Sequence, residues 1–375
     1  MSKRPTLVSA DSHVAEIEAT YADIDPKFRD RRPREAFDEE RGAIFEVPGL
    51  DVPLKVPMGL VCTAGRPREE FDKPVHWEEL HPAGHDGKAR LAIQDEESVC
   101  AEIIYPSMGM ILCNHPDVDY RKACFDAYNR WLAAFCEPDP DRLVGLPILG
   151  LRSVEEGIHE LQSAKQVGAR GVMLSGNPAF SDYDDPIYDP FWEACVALGL
   201  PVSFHILTTR GDITGNQRGH SIIQNLLTIR GNQDIMSMLI FGGVFMRHPN
   251  LKVVCVEADA GWVPHYKYRM DHAFERHRFN ERHGKLDRTP GEYFDQNIYV
   301  TFQDDYSVQY ALPGMNPERI LWATDFPHND GTYPDSIAVA NELIESIDDP
   351  SASESILGRN TIELYGLSNL STGTA

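Results

Sequence analysis

The chain has 375 residues, 42% of them hydrophobic and 25% charged, which is the composition of an ordinary globular protein. Its 58 acidic and 35 basic residues give a formal net charge of -23, which excludes binding to nucleic acid or anionic membranes through a basic surface. No apolar run approaches the roughly 20 residues needed to span a bilayer, so we expect no membrane partner.

The seven cysteines are odd in number and form no CxxC pair, and several lie in apolar runs. This usage indicates buried, reduced thiols, as in a cytosolic protein. The first ten residues, "MSKRPTLVSA", contain no long apolar stretch and do not resemble a signal peptide. We therefore expect a cytoplasmic location.

The first unusual feature is "VSADSHVAE" at residues 8–16, which places Asp11, His13 and Glu16 directly after a short β-forming run. One interpretation is the start of a helix, with Asp11 or Ser12 as N-cap and Glu16 in the first turn. The other is a metal site, because buried carboxylates and an imidazole need a cation or hydrogen bonds as compensation. These residues alone leave both interpretations open.

A long segment of irregular pattern follows, about residues 17–88, rich in proline, glycine and mixed charge. Its apolar residues, such as Phe28, Phe45 and Trp77, are too many for a disordered insert. We predict an ordered insertion that covers a site, since loops of this length in compact domains usually have a function.

From about residue 89 strands and helices alternate. Including the first strand, eight strands are predicted, starting near Thr6, Ala101, Leu143, Gly171, Val202, Lys252, Asn297 and Arg319. Their continuous apolar character indicates burial on both faces. The pattern predicts an α/β fold, a (β/α)8 TIM barrel forming a single domain over residues 1–375. A doubly wound open sheet is the second alternative, although no glycine-rich phosphate loop follows a strand.

Polar residues stand where several of these strands end, and in such a barrel those ends meet on one face. Strand one leads to Asp11 and His13, strand five to His205, strand six to Glu257, and strand eight to Asp325 with His328 beyond it. This mixed set of nitrogen and oxygen donors suits Zn²⁺, Mn²⁺ or Fe²⁺. A metal-free acid–base site is the alternative, but several carboxylates together favour a cation.

The sequence resembles the amidohydrolase superfamily, in the amidohydrolase-2 group that includes the ACMSD-like decarboxylases. The resemblance covers nearly the whole chain and rests on "DSHVAE", "AEIIYPS", "RLVGLPIL", "PVSFHI", "GGVFMRHPNLKVVCVEADAGWVP", "LWATDFPHNDGTYP" and "ILGRNTIELYGL". It implies a distorted barrel, a divalent metal, a small-molecule substrate and a homodimer. By position it implies four metal ligands, Asp11, His13, His205 and Asp325. Asp325 would also handle a proton, and His328 would lie in a substrate-facing loop.

Two positions differ from the family pattern. Asp11 stands where hydrolytic members commonly have histidine, which favours Mn²⁺ or Fe²⁺ somewhat over Zn²⁺. Glu257 stands where decarboxylating members usually have histidine, and there it would repel a substrate carboxylate unless it is protonated or binds metal. One ion is expected; a second would need Glu257 or Glu16 as a ligand.

Three functions follow from these residues. The first is hydrolysis of an ester, thioester, amide or acyl C–C bond of a small organic acid by metal-activated water. Asp325 or Glu257 would take the proton, and His328 would stabilise the oxyanion or protonate the leaving group. The alternative is non-oxidative decarboxylation of an aromatic or enolic carboxylate. A catalytically silent binding protein is the third.

Overall fold

Eight parallel strands form the frame of the molecule in the computed structural model, which describes residues 6–48, 54–209, 219, 222–277, 286–347 and 349–370. A smaller antiparallel sheet adds three further strands. In chain order the strands are β1 Leu7–Val14, β2 Arg34–Asp38, β3 Gly42–Val47, β4 Leu54–Pro57, β5 Val99–Pro106, β6 Leu143–Gly145, β7 Val172–Leu174, β8 Val202–His205, β9 Val253–Val256, β10 Ile298–Phe302 and β11 Ile320–Trp322.

Helices connect the parallel strands. The α-helices are Met58–Val61, Gly87–Glu96, Met108–Leu112, Val118–Cys136, Val154–Gln166, Asp189–Leu198, Ile223–Leu227, Ile229–Phe241, Val244–Arg247, Val263–His277, Pro290–Asn297, Val308–Ala311, Ser336–Ser346, Pro350–Glu354 and Asn360–Tyr365. The 3-10 turns are Glu18–Tyr21, Pro26–Arg31, Arg68–Glu70, Trp77–Glu79, Pro82–Gly84, Pro186–Tyr188, Leu312–Gly314 and Pro317–Arg319, and Ser355–Arg359 is a π-helical turn. Among the described residues, no helix has the length and apolar character that crossing a membrane requires.

The parallel strands follow one another around a distorted barrel. One sheet has the order β1-β5-β6 and the other β11-β10-β9-β8-β7. A parallel bridge between Ile148 and Met173 joins β6 to β7. At the other edge, Asp325 N donates to Asp11 O at 3.0 Å and His13 N to Phe326 O at 2.7 Å. The order follows the chain without the reversal of a doubly wound sheet, so the barrel prediction is confirmed and the open-sheet alternative is wrong.

The strands are buried on both faces, as their continuous apolar sequences predicted. In β7, Met173 packs in one hydrophobic cluster with Val254 and Leu321, whereas its neighbour Val172 packs in a second cluster with helix residues. Tyr105 of β5 reaches Ser203 of β8, and their hydroxyl oxygens are 2.9 Å apart. Side chains from non-adjacent strands therefore fill the interior of the barrel, as in a packed core.

The segment predicted as an insertion, residues 17–88, is more regular than its sequence pattern suggested. β2, β3 and β4 form an antiparallel sheet, and Phe28 and Phe45 are buried. The segment then packs on the loop after β11, where Ala64 N donates to Pro327 O at 3.1 Å. This contact places the insertion over the carboxyl ends of the strands.

The interpretation of residues 8–16 as a helix start is wrong. β1 continues through Val14, and Ser12, His13 and Val14 pair with residues 104–106 of β5 after a register shift. Ser12 Oγ donates to Ile103 O at 3.1 Å instead of capping a helix. Strand pairing with β5, which lies about 90 residues further along the chain, outweighs the local preference of Asp and Ser for caps.

A buried arginine connects the insertion to the barrel. Arg90 donates from Nε to Ala83 O at 2.9 Å, from Nη1 to Glu102 Oε2 at 3.0 Å, and from Nη2 to His13 O. Its guanidinium also lies over the ring of Phe326, 4.5 Å from the centroid. This one side chain thus connects the insertion, through Ala83, to β1, to β5 and to the loop after β11.

We predict that Arg90→Met lowers the free energy of unfolding by about 3–5 kcal/mol, because it leaves the Glu102 carboxylate buried without a cation. Chemical denaturation measures the loss. Arg130→Met is the matched control, since Arg130 pairs with Asp23 at the surface and should cost about 0–1 kcal/mol. Equal losses in the two variants would contradict this role of Arg90.

Candidate metal centre

The barrel brings five of the predicted site residues to one point. Asp11 and His13 lie two positions apart on β1 and project from the same face. His205 is the last residue of β8, and Glu257 directly follows β9. Asp325 lies three residues beyond β11. Four separate strands therefore supply the site.

The donor atoms have the spacing of ligands around one cation. His13 Nε2 lies 3.4 Å from Asp11 Oδ1, 3.4 Å from Glu257 Oε2 and 3.3 Å from Asp325 Oδ1. His205 Nε2 lies 3.5 Å from Asp11 Oδ1 and 3.3 Å from Glu257 Oε2. An ion about 2.1 Å from each ligand keeps neighbouring ligands roughly 3.0–3.4 Å apart.

The same atoms are buried without hydrogen-bond partners. They are both carboxylate oxygens of Asp11, Oε2 of Glu257, Oδ1 of Asp325, and Nε2 of His13 and of His205. Burying so many unpaired polar atoms is costly unless something binds them. The residues therefore fit a divalent cation.

The two imidazoles are oriented by the strand ends around them. His13 Nδ1 lies 2.9 Å from Pro106 O and His205 Nδ1 lies 3.2 Å from Ile206 O. A carbonyl can only accept, so each Nδ1 must carry the proton. That tautomer leaves the Nε2 lone pair of each ring directed into the cluster, as metal binding requires.

Glu257 and Asp325 adopt backbone conformations that are unusual for these residues. Their φ angles are 54° and 55°, in the left-handed region. Thr301 Oγ1 holds Glu257 by accepting from its N–H at 2.8 Å, and Asp325 N–H donates to Asp11 O. Residues held this way cluster at functional sites, where surrounding structure compensates the strain.

Charge coupling in the cluster is strong. Burial raises the pKa of Asp325, but the charge of His328 and the close contacts of His13 and His328 bring it well below its ordinary value. Burial lowers the pKa of His13, yet Asp11, Asp325 and Glu257 together raise it far above the usual histidine value. In the protein without a cation, His13 thus holds a proton that metal binding displaces.

His328 lies at the edge of the cluster, stacked on His13 with ring centroids 4.0 Å apart. Its Nδ1 is 3.0 Å from Asp325 Oδ1, and its Nε2 is 3.0 Å from Ser107 Oγ. A second possible ligand set, His13, Glu257, Asp325 and His328, overlaps the first. The described residues therefore offer two overlapping positions for a cation.

The structure does not bring Glu16 into the cluster. One oxygen accepts from Ser107 N at 3.1 Å and Met108 N at 2.9 Å, and the other from Gly109 N at 2.9 Å. Burial raises the pKa of Glu16, and these N–H groups partly offset that rise. Its carboxylate therefore holds the turn after β5, a role that spacing in the sequence could not show.

Two further acidic residues, Asp259 and Asp330, are exposed to solvent. Both lie close enough to Glu257 for its charge to act on them. Partial burial and the carboxylates of Asp305 and Asp304 raise the pKa of Asp259 to about 6. Partial burial and the charges of Asp325 and Glu257 raise the pKa of Asp330 to about 6.

Sequence reasoning missed two residues that shape the site. Ser107 contacts His328, and Thr301 holds Glu257 in place. In the sequence Thr301 is an ordinary residue of the run "NIYVTF", and Ser107 is the last residue of the motif "AEIIYPS". A serine after a strand has many ordinary roles, so only the contact with His328 distinguishes Ser107.

Comparison with known proteins gives a consistent result. The sequence model of the family described as "Amidohydrolase" matches residues 114–367. The curated 2-amino-3-carboxymuconate-6-semialdehyde decarboxylase of Dictyostelium discoideum is 28% identical over 249 residues, 64% of this chain and 65% of that protein. The match thus spans just under two thirds of this relative's length.

Solved structures share the fold over nearly the whole chain. An amidohydrolase from Mycobacterium avium subsp. paratuberculosis has a TM-score of 0.80 and 22% identity, covering 97% of this chain and 100% of that chain. The 5-carboxyvanillate decarboxylase of Novosphingobium aromaticivorans, complexed with manganese and 4-hydroxy-3-methoxy-5-nitrobenzoic acid, has a TM-score of 0.68 and 17% identity, covering 97% of each chain. At these identities the likeness establishes the fold alone.

We predict that His205→Ala removes stoichiometric divalent metal, because it deletes a donor atom that faces two carboxylates. Glu16→Gln should keep the metal, since its oxygens bind backbone N–H groups. Elemental analysis of purified variants measures both, with His265→Ala, an exposed histidine, as the control. Full metal content in His205→Ala, or its loss in Glu16→Gln, would contradict the ligand assignment.

Proposed function

Because the chain belongs to the amidohydrolase family, we propose that it is a divalent-metal-dependent decarboxylase of an aromatic or enolic carboxylate. The observation that carries this proposal is the relationship to 2-amino-3-carboxymuconate-6-semialdehyde decarboxylase. The sequence alone favoured hydrolysis, but the decarboxylase among the relatives supports the alternative, non-oxidative decarboxylation, better. The class is thus a carboxy-lyase, with a metal-dependent hydrolase as the second candidate.

The donor set supports a borderline or hard cation. Three carboxylates and two imidazoles suit Mn²⁺, Fe²⁺ or Zn²⁺, and the anionic character favours Mn²⁺ or Fe²⁺. We infer Asp11, His13, His205 and Asp325 as ligands, with Glu257 as a further ligand or a base. The bound ion would act as a Lewis acid that holds the substrate carboxylate and an adjacent oxygen.

Charge balance answers the objection that Glu257 would repel a carboxylate substrate. Burial lowers the pKa of His328, but the charge of Asp325, a hydrogen bond to Asp325 and the charge of Glu257 together raise it above the usual histidine value. A divalent cation offsets two of the three carboxylates Asp11, Glu257 and Asp325, and protonated His328 offsets the third. The inner site then carries no net charge, so an anionic substrate can enter it.

The chain also offers a proton for the reacting carbon. Decarboxylation breaks the C–C bond to CO₂ and forms a C–H bond, so a positioned acid must supply the proton. The proton between His328 Nδ1 and Asp325 lies beside the cluster, and Asp325 Oδ1 faces inward. We assign Asp325 the delivery of the proton, and His328 its supply.

Glu257 keeps hydrolysis as the second candidate. Its side chain is 17% exposed, while Asp11 and Asp325 are buried, and Oε2 has no hydrogen-bond partner. A carboxylate in that position could take a proton from attacking water. Hydrolysis would then release an acid or a thiol and no CO₂.

We predict CO₂ release from a panel of ortho-hydroxybenzoates and muconate-like acids, lost on chelation and restored by Mn²⁺. Asp325→Asn should lower kcat by about 100-fold or more, because it removes the proton-delivering carboxyl. His265→Ala serves as the unaffected control. Release of acid or thiol from ester and thioester panels, without CO₂, would assign the protein to the hydrolases instead.

We predict that KM for a carboxylate substrate rises several-fold between about pH 5 and about pH 7.5. Because the pKa values of Asp259 and Asp330 are about 6, both side chains are mostly neutral at pH 5. At pH 7.5 both are negatively charged and repel an anionic substrate. Steady-state kinetics of the double variant Asp259→Asn, Asp330→Asn should show a flatter profile. An unchanged profile would exclude these residues as the cause.

A further inference from the structure

Ser107 links two parts of the molecule that the proposed reaction does not yet connect. It follows β5 directly and is buried, with 2% of its surface exposed. Its hydroxyl lies 2.8 Å from Val14 O and 3.0 Å from His328 Nε2. The side chain therefore bridges the end of β1 and the loop after β11.

Counting donors fixes the direction of both contacts. A serine hydroxyl has one proton, and Val14 O can only accept it. Toward His328 the same oxygen must accept, so Nε2 carries a proton directed at Ser107. The other ring nitrogen, Nδ1, faces the Asp325 carboxylate at 3.2 Å from Oδ2. Both nitrogens are engaged, and the ring orientation is determined.

The same count excludes Ser107 as a nucleophile, despite a Ser–His–Asp series of contacts. A nucleophilic serine gives its proton to the histidine, whereas this hydroxyl gives it to Val14 O. Ser107 is also buried, with 2% of its surface exposed. The hydroxyl of Ser107 therefore contacts other groups of the protein and does not react with the substrate.

Ser107 is itself held by Glu16. The Glu16 carboxylate accepts from the N–H groups of Ser107, Met108 and Gly109, and its residue is completely buried. Three hydrogen bonds to a charged acceptor are strong, so they immobilise the turn that carries the hydroxyl. The contacts run from Glu16 through Ser107 to His328 and then to Asp325.

We propose that Ser107, anchored by Glu16, is a positioning residue that orients the His328 ring and keeps the proton on Nε2. This orientation turns Nδ1 toward Asp325 and leaves Asp325 Oδ1 facing the metal cluster. The consequence for catalysis rests on the proposed function, whereas the orientation of the ring does not. Glu16 thereby acquires a role that metal binding does not require.

Three substitutions at Ser107 distinguish the effect of losing the hydroxyl from the effect of changing the side-chain volume. Ser107→Ala removes the hydroxyl, while Ser107→Thr and Ser107→Val have nearly equal shape and only threonine keeps it. Without the acceptor, the ring is free to rotate, so kcat should fall about tenfold in the alanine and valine variants. KM and metal content should stay unchanged, and threonine should restore most of the rate.

A spectroscopic signature tests the ring without using activity. In Zn²⁺-loaded protein with ¹⁵N-labelled histidine, the Nε2 proton of His328 should give a protected NMR signal, assigned by its loss in His328→Asn. We expect the signal in the wild type and Ser107→Thr, and its loss through solvent exchange in Ser107→Ala. Glu16→Gln should weaken it, because an amide group cannot accept all three N–H bonds.

CO₂ release tests the proposed function, and the NMR signal of His328 tests the positioning role of Ser107, so each proposal can be disproved without the other. If the wild type releases no CO₂, the proposed function fails, and the ring signal still decides the role of Ser107. If Ser107→Ala keeps the protected signal, the positioning role is wrong for any reaction. Should threonine not fit the site, the comparison of alanine with the wild type decides alone.

Discussion

The convergence of Asp11, Glu257 and Asp325 is the constraint on which the rest of the structure depends. Carboxylates this close repel one another, and burial removes the water that would screen them. His13 and His205 between them relieve part of that repulsion, and a divalent cation would relieve the rest. The fold must hold these groups together against their own electrostatics.

The barrel does so by fixing each donor to backbone. Pro106 O and Ile206 O orient the two imidazoles, and Thr301 holds the N–H of Glu257. Because these contacts come from several strands, no single strand can move its donor group out of the cluster alone. The insertion adds to this rigidity through Arg90, which binds the carbonyl of His13.

Glu16 shows a second way of burying a carboxylate. It lies on the same polypeptide stretch as Asp11, yet three backbone N–H groups bind its two oxygens, so both oxygens have partners without a cation. The unpaired oxygens of Asp11 require one. The partners that tertiary structure supplies therefore determine whether a buried carboxylate is free to bind a cation.

The eight strands, the barrel and the four strand ends that carry Asp, His and Glu could be predicted from the sequence, because apolar runs and strand-end polar residues are local patterns. The homodimer and the cytoplasmic location stay predictions. Three features could not be read from the sequence: β1 continues through His13, Glu16 binds the turn at Ser107, and Ser107 contacts His328. These outcomes depend on partners about 90 to 220 residues away in the chain, and spacing within a short motif carries no information about them.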